Sequence, residues 1–243
     1  MAFHLTYKPF GERAILVEWP PEIDENILKD VILFKAAIED KNDTHIVEIR
    51  CAYNSLLVVY DSLYMDFLNE VETLKTYYFS KKSKSNSASR LWKIPVCYDA
   101  VFGSDLEAIS TEKKLAKEVI VERHSQAIYT VYFIGFLPGF LYLGGLDESL
   151  FMPRKATPRL QIKKGAVAIG GNQTGIYPMA SPGGWNIIGN SPIAFFKPKS
   201  NSPCFAKPLD KIEFVPVSIS KYKDIKLLVE ADVYQLESEV WHG

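Results

Sequence analysis

Apolar and polar positions follow two rhythms along this chain, and the balance between them shifts near residue 80. RAILVEW (13–19) reads as a strand. Residues 21–40 then place Ile23, Ile27, Val31, Phe34 and Ile38 at helical spacing, which predicts one apolar helix face. HIVEIR (45–50) and SLLVVYD (55–61) predict a strand pair turning at Cys51–Asn54. Residues 65–79 return to helical spacing through Phe67, Leu68, Val71, Leu74 and Tyr78. With HLTY (4–7) as the first strand, the order is ββαββα, a small α+β sandwich of one sheet covered by two helices. SKKSKSNSASR (80–90) has no sizeable apolar side chain and cannot build a core, so it predicts a break. The expected organisation is an N-terminal α+β domain over 1–82, a linker over 83–90 and a second domain over 91–243.

The second domain opens with the strand LWKIPVCY (91–98). A helix is predicted at TEKKLAKEVIVERHS (111–125), capped by Ser110 or Thr111, with Leu115, Val119 and Ile120 inward. From Tyr129 onward the pattern is strand and turn. AVAIG (166–170), WNIIG (185–189) and IAFF (193–196) are short β-rich runs bounded by Gly or Pro. They lie within Gly165–Phe196, a stretch without a charged side chain. A second uncharged run spans 127–146. Neither suits a membrane helix: Pro138-Gly139 breaks one, and Pro178, Pro182 and Pro192 break the other. Strands buried on both faces read as continuous apolar runs, so the expectation is a β-barrel with one helix. Uncharged loops rich in amides can line a pocket for a small polar molecule, although turn chemistry alone also accounts for them.

The bulk numbers narrow the field. A chain of 243 residues, 47% hydrophobic and 23% charged, with net charge -1, is ordinary globular material without the electrostatic footprint of a nucleic-acid binder. Cys51, Cys97 and Cys204 are scattered and form no Cys-x-x-Cys pair, which argues against a disulfide framework or a zinc site. No basic segment followed by an apolar core opens the sequence. A reducing cytoplasm is the expected compartment. No phosphate-binding loop is present, so nucleotide chemistry is not expected to rest on this chain alone.

Candidate chemistry gathers between the uncharged runs. PRKATPRLQIKK (153–164) carries Arg154, Lys155, Arg159, Lys163 and Lys164 and no acid. Proline restricts the backbone before each arginine, and a guanidinium fork matches a carboxylate or phosphate. The loop reads either as an anion clamp or as a solvated basic surface. His124, at the end of the predicted helix, reads either as an acid–base group or as a capping or surface histidine. Gln173, Thr174 and Ser181 can hydrogen-bond an amide or carboxylate. Ser181 is not in a Gly-x-Ser-x-Gly elbow, and no metal-ligand cluster is visible.

FIGFLPGFLYLGGL (133–146), PRKATPR (153–159), GNQTGIYPMASPGGWNIIGNSP (171–192) and IPVCYD (94–99) closely resemble the PxpB/KipI family, also called allophanate hydrolase subunit 1. The resemblance implies a cyclophilin-like β-barrel in the second domain. It further implies the PxpB-type subunit of an ATP-dependent 5-oxoprolinase, which hydrolyses 5-oxo-L-proline to L-glutamate. The implied partners are PxpC-type (allophanate hydrolase subunit 2-like) and PxpA-type subunits, with ATP and Mg2+ as requirements of the complex. The family's other role, inhibition of histidine kinase autophosphorylation, is the alternative. Joined to the chemistry above, Arg154 or Arg159 is expected to hold the substrate carboxylate or a phosphorylated intermediate. Gln173, Thr174 and Ser181 would bind the lactam, and His124 would move a proton. The chain departs from the family at Asn190, where an arginine is common, and at Lys163 and Lys164.

Overall fold

Asp24 and Asp66 set the two helices of the first unit. Each carboxylate accepts hydrogen bonds from two amides of the first turn, Asn26 and Ile27 for Asp24, Leu68 and Asn69 for Asp66. The computed structural model describes residues 3–61, 66–81 and 88–242, and the chain divides into units Met1–Ser87 and Ala88–Gly243. Residues 83–87 of the expected linker lie outside the described residues.

The first unit runs β1 (Thr6–Pro9), β2 (Ala14–Glu18), α1 (Glu25–Glu39), β3 (Ile46–Ala52), β4 (Ser55–Tyr60) and α2 (Phe67–Ser80). Its sheet is antiparallel in the order β1-β2-β4-β3. Alternate residues Ile15 and Val17 of β2 and Leu56, Val58 and Tyr60 of β4 form one core with Ile27, Val31, Phe34 and Ile38 of α1 and Val71, Leu74 and Tyr78 of α2. Two expectations shift. Ile23 precedes the capping Asp24 and stays partly exposed, and Leu68 points outward.

The second unit runs β5 (Arg90–Val96), α3 (Leu106–Lys113), α4 (Lys117–Gln126), β6 (Ile128–Ile134), β7 (Leu141–Gly144), a 3₁₀ turn (Glu148–Leu150), β8 (Arg159–Ile162), β9 (Ala166–Gly170), β10 (Gln173–Ile176), β11 (Ser181–Gly183), β12 (Asn186–Asn190), β13 (Lys211–Pro216), α5 (Ile219–Glu230) and β14 (Ser238–Val240). The single helix expected over 111–125 is two. Lys114 turns left-handed at φ 54 and ends α3, and Ser110, an expected cap, lies inside α3 and bonds the Leu115 carbonyl at 2.6 Å. Helix α5 falls where the sequence pattern reads as strand and turn. IAFF (193–196) is a loop, because Ile193 and Phe195 are drawn into the core instead of joining a ladder.

Eight strands follow the order β12-β9-β10-β7-β6-β13-β5-β14, and β8 pairs with β11 apart from them. Just past β5, Cys97 exchanges two backbone hydrogen bonds of 2.9 and 3.0 Å with Asn190 at the end of β12, so strands from the two sides of the sheet meet. One face of β9, β10 and β12 joins the large core through Val167, Ile169, Ile176 and Ile188. The other face joins a second cluster through Ala166, Ala168 and Ile187, together with Phe140, Ile162, Tyr177 and Trp185. Burial on both faces is why β9, β10 and β12, within Gly165–Phe196, carry no charge.

Trp185 sits on a floor of two glycines. A Cβ at Gly170 would lie 2.4 Å from the indole. A Cβ at Gly175 would lie 3.0 Å from the indole and 2.8 Å from the Leu141 carbonyl. Gly170→Ala is therefore expected to cost roughly 1–3 kcal/mol of stability by overpacking. In a Trp185→Leu background the added cost of Gly170→Ala should shrink toward zero. Denaturant unfolding of the four chains in this cycle measures both; a cost that persists without the indole contradicts the packing assigned here.

Candidate functional site

Two short segments lie side by side and register one arginine against one tryptophan. The Asn186 Nδ2 donates to the Pro153 carbonyl at 2.9 Å and to that of Ile169 at 3.3 Å. The Lys155 amide donates to the Gly184 carbonyl at 2.7 Å. Between these pins, Arg154 faces Trp185, its guanidinium carbon 5.5 Å from the ring centre. Trp185 in turn meets Phe140 and Tyr142 edge-on, at 5.6 and 5.7 Å. Arg154 is exposed and has no carboxylate partner among the described residues. Burial raises the Tyr142 phenol, and the charge of Arg154 acts against it. Burial likewise raises Tyr177, opposed by a Trp185 backbone bond and by the charges of both Arg154 and Arg159. The two arginines thus share one electrostatic neighbourhood.

Their chemistry differs. Arg159, on β8, donates from Nη2 to Asp105 Oδ1 at 2.6 Å, and Lys155 Nζ reaches the same oxygen at 2.9 Å. The other oxygen of Asp105 accepts from the Ile187 amide at 2.7 Å, and the Asp105 amide donates to the Ile187 carbonyl at 2.9 Å. Burial works to raise the Asp105 carboxyl, but the bonds from Arg159, Lys155 and Ile187 outweigh it and hold the pKa below its ordinary value. Asp105 escaped the sequence reading. An aspartate ahead of a helix suggests only a cap, and here it makes no capping bond.

β10 separates the remaining candidates. Gln173 stands opposite Gly170, on the face that carries Trp185. Thr174 stands opposite Ile169 and Leu143 and faces the large core. There the Thr174 hydroxyl donates to the Ala168 carbonyl at 3.0 Å, so it accepts from His124 Nε2 at 2.8 Å. His124 Nδ1 then accepts from the Tyr98 hydroxyl at 2.8 Å. The imidazole stacks on Phe214 at 4.7 Å, and Tyr129 bonds the His124 carbonyl at 2.7 Å. His124 has no exposed surface, and burial pushes its pKa down to about 3. The residue expected to act as acid or base, or to cap a helix end, is instead a neutral hub inside the core. Ser181 stands opposite Ile162 in the β8–β11 ladder, which also holds Arg159, and its hydroxyl bonds the Pro182 carbonyl at 3.1 Å. The structure thus gathers Arg154, Arg159 and Gln173 about the Trp185 cluster, keeps Ser181 in the adjoining ladder, and withdraws His124 and Thr174 to the other side of the sheet. Asn190 is buried, its amide committed to Lys164 and Tyr222 at 2.9 and 2.7 Å.

Residues 5–206 match the carboxyltransferase domain, subdomain C and D, family. The chain belongs to this family. It is 33% identical to the 5-oxoprolinase B subunit of Bacillus subtilis, over 93% of this chain and 98% of that protein. It is 38% identical to the 5-oxoprolinase B subunit of Haemophilus influenzae, over 85% and 95% of the two. In structure it resembles the urea amidolyase of K. lactis, with TM-score 0.85 at 21% identity, over 98% of this chain and 16% of that one. That likeness speaks for a shared mixed α and β fold. For this member of the carboxyltransferase-domain family, the position of His124 carries a pH signature. Unfolded, the imidazole protonates near 6.5; folded, it resists protonation down to about 3. Stability present above pH 6.5 is therefore lost as pH falls from 6.5 toward 3, by on the order of 5 kcal/mol. Denaturant unfolding at pH 7 and 4.5 should show this slope in the parent chain and a much smaller one in His124→Gln.

Proposed function

We propose that this chain is the PxpB-type subunit of an ATP-dependent 5-oxoprolinase and works with PxpC-type and PxpA-type subunits to convert 5-oxo-L-proline to L-glutamate. The observation that carries the reading is the nearly end-to-end correspondence with 5-oxoprolinase B subunits at 33 and 38% identity. The substrate is assigned to Arg154. Arg154, held over Trp185 without a carboxylate partner, takes the carboxylate of 5-oxoproline in a two-pronged, charge-assisted bond. The ring lies toward the indole and the Gln173 face, and Ser181 offers a hydroxyl at the rim. The aromatic cluster limits water around these contacts and strengthens them.

Hydrolysis breaks the ring C–N bond; a water oxygen bonds the former lactam carbon and the nitrogen takes up a proton, with ATP hydrolysis as the drive. His124 and Thr174 have no part in that proton transfer in this reading, since both are sealed in the core. No group of three or more His, Cys, Asp or Glu among the described residues is placed to hold a metal, and no step is routed through Mg2+ on this chain. ATP and its Mg2+ are assigned to the partner subunits. The same reading takes the second unit, whose curled sheet is bridged by Cys97 and Asn190, as a cyclophilin-like barrel. It also places the complex in the cytoplasm, in keeping with three free cysteines. Among the described residues no helix is long and apolar enough to cross a membrane.

The assembled complex, assayed for 5-oxoproline-dependent ATP hydrolysis and glutamate release, tests the proposal. Arg154→Ala should raise KM for 5-oxoproline roughly 10- to 100-fold, the worth of one charge-assisted bond pair. An unchanged KM would remove Arg154 from the site. Glutamate release that persists when this chain is omitted would remove its assignment to the enzyme.

A further inference from the structure

Asp105 does more than bind two cations, because its partners come from the same loop as the free arginine. Loop 153–164 contains five cations and no acid. Asp105, from the start of α3, occupies Lys155 and Arg159 with one oxygen, and its other oxygen is fixed by the Ile187 amide. The carboxylate is buried, while the two cations are less than a third exposed. Ile187 lies two residues beyond Trp185, so the strand that follows the indole also anchors the acid. Gly184 is packed by the Lys155 carbonyl, Pro158 and the Arg154 Cβ, all within 4 Å of where its own Cβ would stand. Arg154 is thus the one guanidinium of the loop that no carboxylate occupies among the described residues.

We propose that Asp105 is a specificity-determining positioning residue: by holding Lys155 and Arg159 it leaves a single free guanidinium over Trp185, which selects a monoanionic carboxylate over a phosphate-type dianion. The proposal rests on the assignment of Arg154 as the anion contact. Two cations on one carboxylate leave a single surplus charge, on side chains drawn toward Asp105. Freed from Asp105, both would swing toward an anion bound at Arg154, and a dianion would profit most. Asp105 itself touches no substrate. It acts through Arg159 and Lys155.

The test uses the full chain and two simple probes, acetate and inorganic phosphate, at low ionic strength and pH 7.5, read from the Trp185 indole N–H resonance. Arg154→Gln should abolish the response to both anions. Asp105→Asn should bind phosphate roughly fivefold more tightly than the parent, with a smaller gain for acetate, as one added charge at contact distance implies. Asp105→Glu should keep the parent preference. A merely structural role for Asp105 would not raise affinity for any anion, so an unchanged phosphate-to-acetate ratio in folded Asp105→Asn overturns the proposal. Should that variant fail to fold, Lys155→Gln decides. Binding of both anions within twofold of the parent supports the proposal, and a loss as great as that of Arg154→Gln overturns it. Neither readout involves turnover. A phosphate gain in Asp105→Asn alongside glutamate release that persists when this chain is omitted would fell the 5-oxoprolinase reading alone; an unchanged ratio in folded Asp105→Asn alongside glutamate release that requires this chain would fell this proposal alone.

Discussion

The indole of Trp185 rests on backbone where no side chain fits, and the aromatic cluster of the second unit packs around that contact. Gly170 and Gly175 let the ring approach β9 and β10 closely enough for Phe140 and Tyr142 to meet its edges. The residues on either side of Trp185 then do the aligning. Gly184 takes the Lys155 amide and Asn186 takes the Pro153 carbonyl, so the loop is registered one residue before and one residue after Arg154. An arginine on a flexible loop would lose much side-chain entropy on binding an anion, and backbone pins together with an aromatic face reduce that loss.

Buried carboxylates make the long-range ties. Asp30 gathers Trp19, Tyr78 and Lys81 in the first unit. Asp210 gathers the Arg90 amide, the Trp92 indole and the Lys207 amide in the second. Asp105 gathers Arg159, Lys155 and the Ile187 amide. A buried carboxylate is costly unless its lone pairs are filled, so each of these specifies which distant segments must meet. Asp105 differs from the others because its partners stand beside an unpaired cation of their own loop.

His124 shows how position along the chain misleads. At the end of a basic-tailed helix it looks accessible and dipole-stabilised in the protonated form. The packed structure places Tyr98, Tyr129, Thr174 and Phe214 around it, and desolvation outweighs any helix-end effect. Its hydrogen bonds follow a definite direction, from Tyr98 to His124 to Thr174 to the Ala168 carbonyl, which suits a fixed link and not a proton relay.

Much was legible without coordinates. Periodicity located β2, α1, β3, β4 and α2 within a few residues, because each element buries one face and its apolar spacing records that face. The uncharged stretch announced strands covered on both sides, since charge is excluded wherever water is. PRKATPR and the glycine-rich segment, singled out in the sequence, lie side by side in the structure. What the sequence could not assign was partnership. Arg154 and Arg159 are alike in local context, each behind a proline, yet one meets an indole and the other a carboxylate some fifty residues earlier in the chain. Gln173 and Thr174 are adjacent, yet the alternation of a strand sends them to opposite sides of a sheet. Local pattern records whether a side chain is buried. Only the tertiary structure decides what it is buried against, because that depends on which remote segments the packed sheet brings into contact.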